Sequence, residues 1–157
     1  MSHLTLKRNK RKAKSYKEIP YICTMQCYNI RKGISSTKYS LFEAEGKTKE
    51  IHAVIEITDN EASFVEQLSA LCMALSDLSV EHKTFTPVMG RLLLSDAANQ
   101  AENALSVLSQ MTNCALSYVQ QPPLNGSKVA LWIYMQSEAS LVRVDEHTAI
   151  VERNGLR

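Results

Sequence analysis

Residues 114–136 read CALSYVQQPPLNGSKVALWIYMQ, two apolar runs set either side of a turn. Residues 115–119 and 129–135 are rich in side chains that suit a pleated, half-buried surface, and each predicts a strand. Pro122 and Pro123 cannot donate ladder hydrogen bonds, so pairing stops there. Asn125-Gly126 marks a turn, because both residues tolerate positive φ. The second run is apolar on both faces, with Val129, Leu131, Ile133 and Met135 on one and Ala130, Trp132 and Tyr134 on the other. A strand of that kind is interior to its sheet and covered on both sides. Helices can supply one cover, and a partner subunit the other.

Upstream, the alternation continues. Residues 21–30 form a first strand, with Thr24, Gln26 and Tyr28 facing away from Cys23, Met25 and Cys27. Lys32-Gly33 and Ser35-Ser36 mark a loop. Residues 39–45 and 51–57 then form a hairpin about Gly46-Lys47, its outer face polar. Ser63-Phe64-Val65-Glu66 fits a capping box. From it Phe64, Leu68, Leu71, Leu75 and Leu78 recur at helical spacing. Residues 85–94 form a fourth strand and run into Ser95-Asp96, an N-cap. A second helix follows on Ala97, Ala101, Ala104, Leu105, Leu108 and Met111. Residues 141–151 supply a last extended element. The order β-β-β-α-β-α-β-β, with helices between strands three and four and between four and five, predicts an α+β fold. Its sheet is mixed, with two helices packed on one face. No third helix is left for the other face, and an uncovered apolar face asks for a partner, most simply further copies in closed symmetry.

At 157 residues, with 45% apolar and 22% charged side chains, the chain has the composition of one globular domain, expected over residues 21–157. No run approaches the ~18 to 20 apolar residues of a membrane span, and the basic N-terminus lacks the apolar core of a secretory signal. The four cysteines are too few and scattered for a disulfide scaffold, and reduced thiols indicate a cytoplasmic protein. Residues 1–17 carry seven basic side chains and no acid, which leaves the rest at −5 within a whole-chain charge of +2. Such a cluster can touch nucleic acid or anionic lipid. The preferred reading of residues 1–20 is a solvated tail, because no aromatic platform accompanies the charge.

The element order, LLLSDAANQAENAL at residues 92–105 and the quoted segment together resemble the Rid family, also called the YjgF or L-PSP endoribonuclease-like family. The resemblance spans residues 39–136. It implies a fold like that of bacillus-type chorismate mutase and a homotrimer with clefts between subunits, which would cover the open sheet face. Tyr118, Gln120 and Trp132 would then line the cleft, beside Ser117. Family deaminases hold the substrate carboxylate with an arginine on the fifth strand, a geometry suited to a bidentate fork. Leu116 stands there in this chain, and no arginine lies between Arg91 and Arg143. The family's acidic position on the last strand falls among Leu131, Trp132 and Ile133. Both departures argue against imine-deaminase chemistry. The runs VMGRLLLSDAANQ and QQPPLNG are also similar to the Rid-like unit of chorismatase-type proteins. The chain end, without a stop signal, would fit a piece of such a protein or a stand-alone relative.

Arg91 is the only arginine in a predicted apolar strand, so it must meet a carboxylate or line a cleft. The histidines are dispersed and Cys23 and Cys27 lie well apart on one strand, so no metal site is expected. No activated nucleophile or glycine-rich phosphate loop is present and no cofactor is implied. The first expectation is a Rid-like homotrimer whose inter-subunit cleft takes a small anionic or aromatic metabolite, bound around Arg91, Ser117, Tyr118, Gln120 and Trp132. The second is a divergent imine deaminase or chorismatase-like hydrolase. The third is an RNA-binding or endoribonuclease-like protein acting through residues 1–17.

Overall fold

The computed structural model describes residues 23–143, 145 and 148–152, so the basic tail and the chain end lie outside the described residues. Among these residues eight strands and two helices follow in the order β1 (Cys23–Lys32), β2 (Ser35–Ala44), β3 (Glu50–Ile57), α1 (Phe64–Glu81), β4 (Phe85–Leu94), α2 (Ala97–Met111), β5 (Ala115–Gln120), β6 (Val129–Ser137), β7 (Ser140–Arg143) and β8 (Ala149–Glu152). The first six strands form one mixed sheet in the order β1-β2-β3-β6-β4-β5. The β4–β5 pair is parallel and every other neighbouring pair in it antiparallel. The α+β class and the mixed sheet with two helices follow the expectation from the sequence.

The quoted segment does not fold back on itself. β5 and β6 are both partners of β4, on opposite sides, so the Pro-Pro-Leu-Asn-Gly loop steps over the end of β4. Ser95 N donates to Lys128 O at 3.0 Å where the loop crosses. The loop is also tied to the end of β3 and the segment that follows it. Asn125 Nδ2 donates to Ile57 O at 2.6 Å, and Asn60 Nδ2 to Asn125 O at 2.5 Å. Of the Asn125-Gly126 pair only Gly126 adopts positive φ, at +82°, while the Asn125 side chain donates to Ile57 O and accepts from Ser127. β6 thereby becomes an interior strand between β3 and β4, as its two apolar faces predict.

One face of the sheet carries the core. Ile51, Ile55, Leu131, Ile133, Leu92 and Leu116 are fully buried there against the inner faces of α1 and α2, through Leu71, Leu75 and Leu108. Gly90 has a packing reason in this layer, since a Cβ at that position would stand 2.9 Å from Leu116 Cδ2. α1 begins at the predicted box: Ser63 Oγ accepts from Glu66 N, and Glu66 Oε2 accepts from Ser63 N at 2.8 Å. α2 starts after Asp96 without a side-chain cap bond. The Asp96 N–H is met by Gln100 Oε1, and the Asp96 carboxylate by Asn99 Nδ2.

Two expectations are corrected. Ser35 and Ser36 belong to β2 rather than to a loop, since the first hairpin turns within Gly33-Ile34 and Lys32 pairs with Ser35. Both hydroxyls find partners that permit burial, Ser35 Oγ at Lys32 O and Ser36 Oγ at Asn29 Oδ1. The last extended element is a separate two-stranded hairpin of β7 and β8 rather than one strand. It is attached to the main sheet by Thr86 Oγ1, which donates to Ala139 O at 2.7 Å.

Candidate functional site

The face of the sheet turned away from the helices has no covering element among the described residues. Its side chains are fixed by the strand register. One row runs Lys38, Val54, Trp132, Arg91, Ser117 across β2, β3, β6, β4 and β5. The next runs Ser40, His52, Tyr134, Met89, Ala115. A third brings Glu56, Ala130, Leu93 and Val119 into line. Three of the predicted site residues, Arg91, Ser117 and Trp132, are therefore direct cross-strand neighbours.

Arg91 is exposed and its Nε donates to Ser117 Oγ at 3.3 Å. The Ser117 hydroxyl in turn reaches Gly90 O at 3.5 Å, which orients it as an acceptor toward the arginine. Among the described residues no carboxylate lies within ion-pair distance of Arg91. The nearest acid rows are otherwise engaged: Glu56 is held by Lys38 at 2.6 Å. Of the described side chains that β6, β4 and β5 present on this face, Arg91 is the one that carries a charge. Among the described residues Arg91 meets no carboxylate; it stands instead on the exposed sheet face, hydrogen-bonded to a serine.

Beside it lies an aromatic cluster. The His52 ring is 4.7 Å from that of Tyr134, 6.0 Å from that of Trp132 and 5.7 Å from that of Phe42. Met89, 40% exposed, and half-buried Val54 and Leu93 extend the apolar surface around Arg91. His52, Phe42 and Tyr134 were not singled out from the sequence. The signal was the alternation within each strand, but the pairing of β3 with β6 that brings His52 to Trp132 is a long-range register that one strand alone does not reveal.

Tyr118 and Gln120 fall elsewhere. Along β5 they alternate with Ser117 and so point to the helix side at the sheet edge, where Tyr118 is 45% exposed. They do not share a face with Trp132, so the five residues form two separate groups. Leu116 is also on the helix side and is 2% exposed, packed against Gly90. An arginine at that position would be driven into the apolar core, at high cost without a partner.

Two hollows of the chain lie away from Arg91. One, of about 510 Å³, is bounded by the β2–β3 turn and Glu138. A second, of about 70 Å³, lies between Ile30, Thr37 and Leu78. Near it, Tyr39 donates its hydroxyl to Glu81 Oε1 at 3.1 Å and stacks on Tyr28 at 4.6 Å. Burial, reinforced by the Glu81 carboxylate, pushes the Tyr39 hydroxyl pKa well above its ordinary value. Burial also raises the Cys72 thiol, which makes it a poor nucleophile. None of Cys23, Cys27, Cys72 and Cys114 forms a disulfide among the described residues. Among the described residues no three His, Cys, Asp or Glu side chains converge in a way that could hold a metal ion. Among the described residues no helix is long and apolar enough to cross a membrane.

The fold and the site define an α+β protein with one helix-covered sheet face and one open, aromatic face on which Arg91 has no acid partner among the described residues. Comparison with profiles of known families, with curated proteins and with solved structures finds no match.

Proposed function

We propose that this chain is a Rid-like protein that assembles as a homotrimer in the cytoplasm. Its open sheet faces are covered by neighbouring subunits, and it binds a small anionic metabolite in the cleft between them. The observation that carries the reading is Arg91, a cation without an acid partner among the described residues, standing beside Trp132, Tyr134, Met89, Leu93 and Ala130 of β4 and β6. An apolar face of this kind is unusual on a monomer and usual at an interface. The sheet order and the placement of both helices on one face support the Rid-like fold.

The chemistry attributed to the site is binding rather than imine hydrolysis. The position aligned with the family's substrate arginine is Leu116, which lies in the core. The aligned acidic position falls at Leu131, Trp132 or Ile133, none of which can move a proton. The arginine and the serine of the open face can hold a carboxylate, but His52 and Glu56 of β3, which could move a proton, are separated from them by β6.

The test is ammonia release from 2-aminoacrylate generated in situ. The purified protein is expected to release none above the uncatalysed rate. Clear turnover that persists in Arg91→Ala would contradict both the assignment of Arg91 and the absence of deaminase activity.

A further inference from the structure

The open face also bears on which anions fit. Resting on the binding function just proposed, we infer that the site selects a flat, unsaturated carboxylate, with the carboxylate on Arg91 and the plane of the molecule against Trp132. Three features point the same way. The Arg91 Nε is already spent on Ser117 Oγ, so both terminal NH2 groups are left as an end-on fork for two oxygens. Trp132 is the cross-strand partner of Arg91 and is half-buried, so a ligand atom chain leaving the guanidinium toward β6 meets an indole directly. Of the remaining neighbours, Met89, Leu93 and Ala130 offer no hydrogen-bonding side chain, and the Tyr134 hydroxyl is engaged by Gln136 Nε2.

The electrostatics agree. Arg91 is the lone charge on this half of the face, whereas Lys38, on the far side of Val54, is neutralised by Glu56 at 2.6 Å. One anionic group is therefore matched, and a second would meet only apolar surface. Polyhydroxylated acids would have their hydroxyls desolvated without partners. Aromatic or conjugated monocarboxylates satisfy both halves of the site, because ring stacking adds to the charge-assisted hydrogen bonds. Ser117 acts here as a positioning residue, through its bond to Nε.

Trp132 is the only tryptophan of the chain, so its fluorescence reports on this site alone. The probes are benzoate, cyclohexanecarboxylate, which keeps the anion and loses the plane, and benzamide, which keeps the plane and loses the anion. Benzoate is expected to change the Trp132 emission saturably. It should bind roughly fivefold or more tighter than cyclohexanecarboxylate and about tenfold or more tighter than benzamide. Arg91→Gln, at an exposed position, should weaken benzoate to the level of benzamide while keeping the wild-type unfolding midpoint. Equal binding of benzoate and cyclohexanecarboxylate would overturn the selection for a plane. Equal binding of benzoate and benzamide would overturn the role of Arg91 without recourse to any variant. Sedimentation of the same samples separates this inference from the assembly it rests on. A trimer that shows no saturable response to benzoate overturns the ligand class and leaves the assembly standing. A monomer that binds with the stated selectivity supports the ligand class and overturns the cleft between subunits.

Discussion

Gln67 lies in the first turn of α1, fully buried, with its whole amide in use. Nε2 donates to Asp59 O and Ala62 O, and Oε1 accepts from Lys128 N at 2.7 Å, so one side chain joins the loop before α1 to the loop before β6. Gln67→Leu keeps the volume but strands those backbone groups, and is expected to cost roughly 2 kcal/mol in urea unfolding. A cost near zero would mean that the two loops are not held by this residue. Tyr39 gives a pH dependence. Its hydroxyl holds a proton more tightly in the folded protein than in the unfolded chain, first through burial and then through Glu81. The stability it contributes is complete below the ordinary tyrosine pKa of about 10 and is lost as pH rises beyond it. Tyr39→Phe should therefore lose stability less steeply than wild type above that pH, as read from denaturation midpoints. Neither residue could be picked out from the sequence. Gln67 sits on the polar edge of a helical stripe, and Tyr39 meets Glu81 across 42 positions of chain.

At the scale of elements, much was legible because the signals are local. The capping box at Ser63 is present bond for bond, and it also holds the Glu66 carboxyl below its usual range. Ser63→Ala should lower stability by about 1 kcal/mol near neutral pH. Part of that difference should fade as pH falls through the carboxylate range, because protonated Glu66 no longer favours the box. An unchanged urea midpoint would show that the box is dispensable. The two faces of β6, the stripe of α1 and the cap position of α2 were readable for the same reason, since periodicity is written within one element. What failed was connectivity across elements. The Pro-Pro-Leu-Asn-Gly loop looks like the turn of a hairpin, yet its strands are separated by β4. The register that divides Tyr118 and Gln120 from Trp132 follows from that pairing, and a shift of one residue would have reversed it. The two-residue turn at Gly33-Ile34 was missed because serines usually mark loops, and these two satisfy their hydroxyls inside a strand.

At the scale of the whole molecule, the asymmetry of the sheet is the fact to be explained. One face buries its side chains under two helices, while the other leaves Trp132, Tyr134, His52, Val54 and Leu93 half-buried and Met89 and Arg91 exposed. Neighbouring subunits would remove that surface from water and wall the site around Arg91. Met89→Glu places a charge in the covered face without touching the core. It should leave the unfolding midpoint of the isolated chain close to wild type and abolish assembly. The most direct measurement is the mass of the wild-type particle in solution, by sedimentation equilibrium or light scattering of the full chain at micromolar concentration. The account predicts three times the 17.6 kDa chain mass, falling to one chain mass in Met89→Glu. A wild-type particle of one chain mass, with the open face left in water, would contradict it.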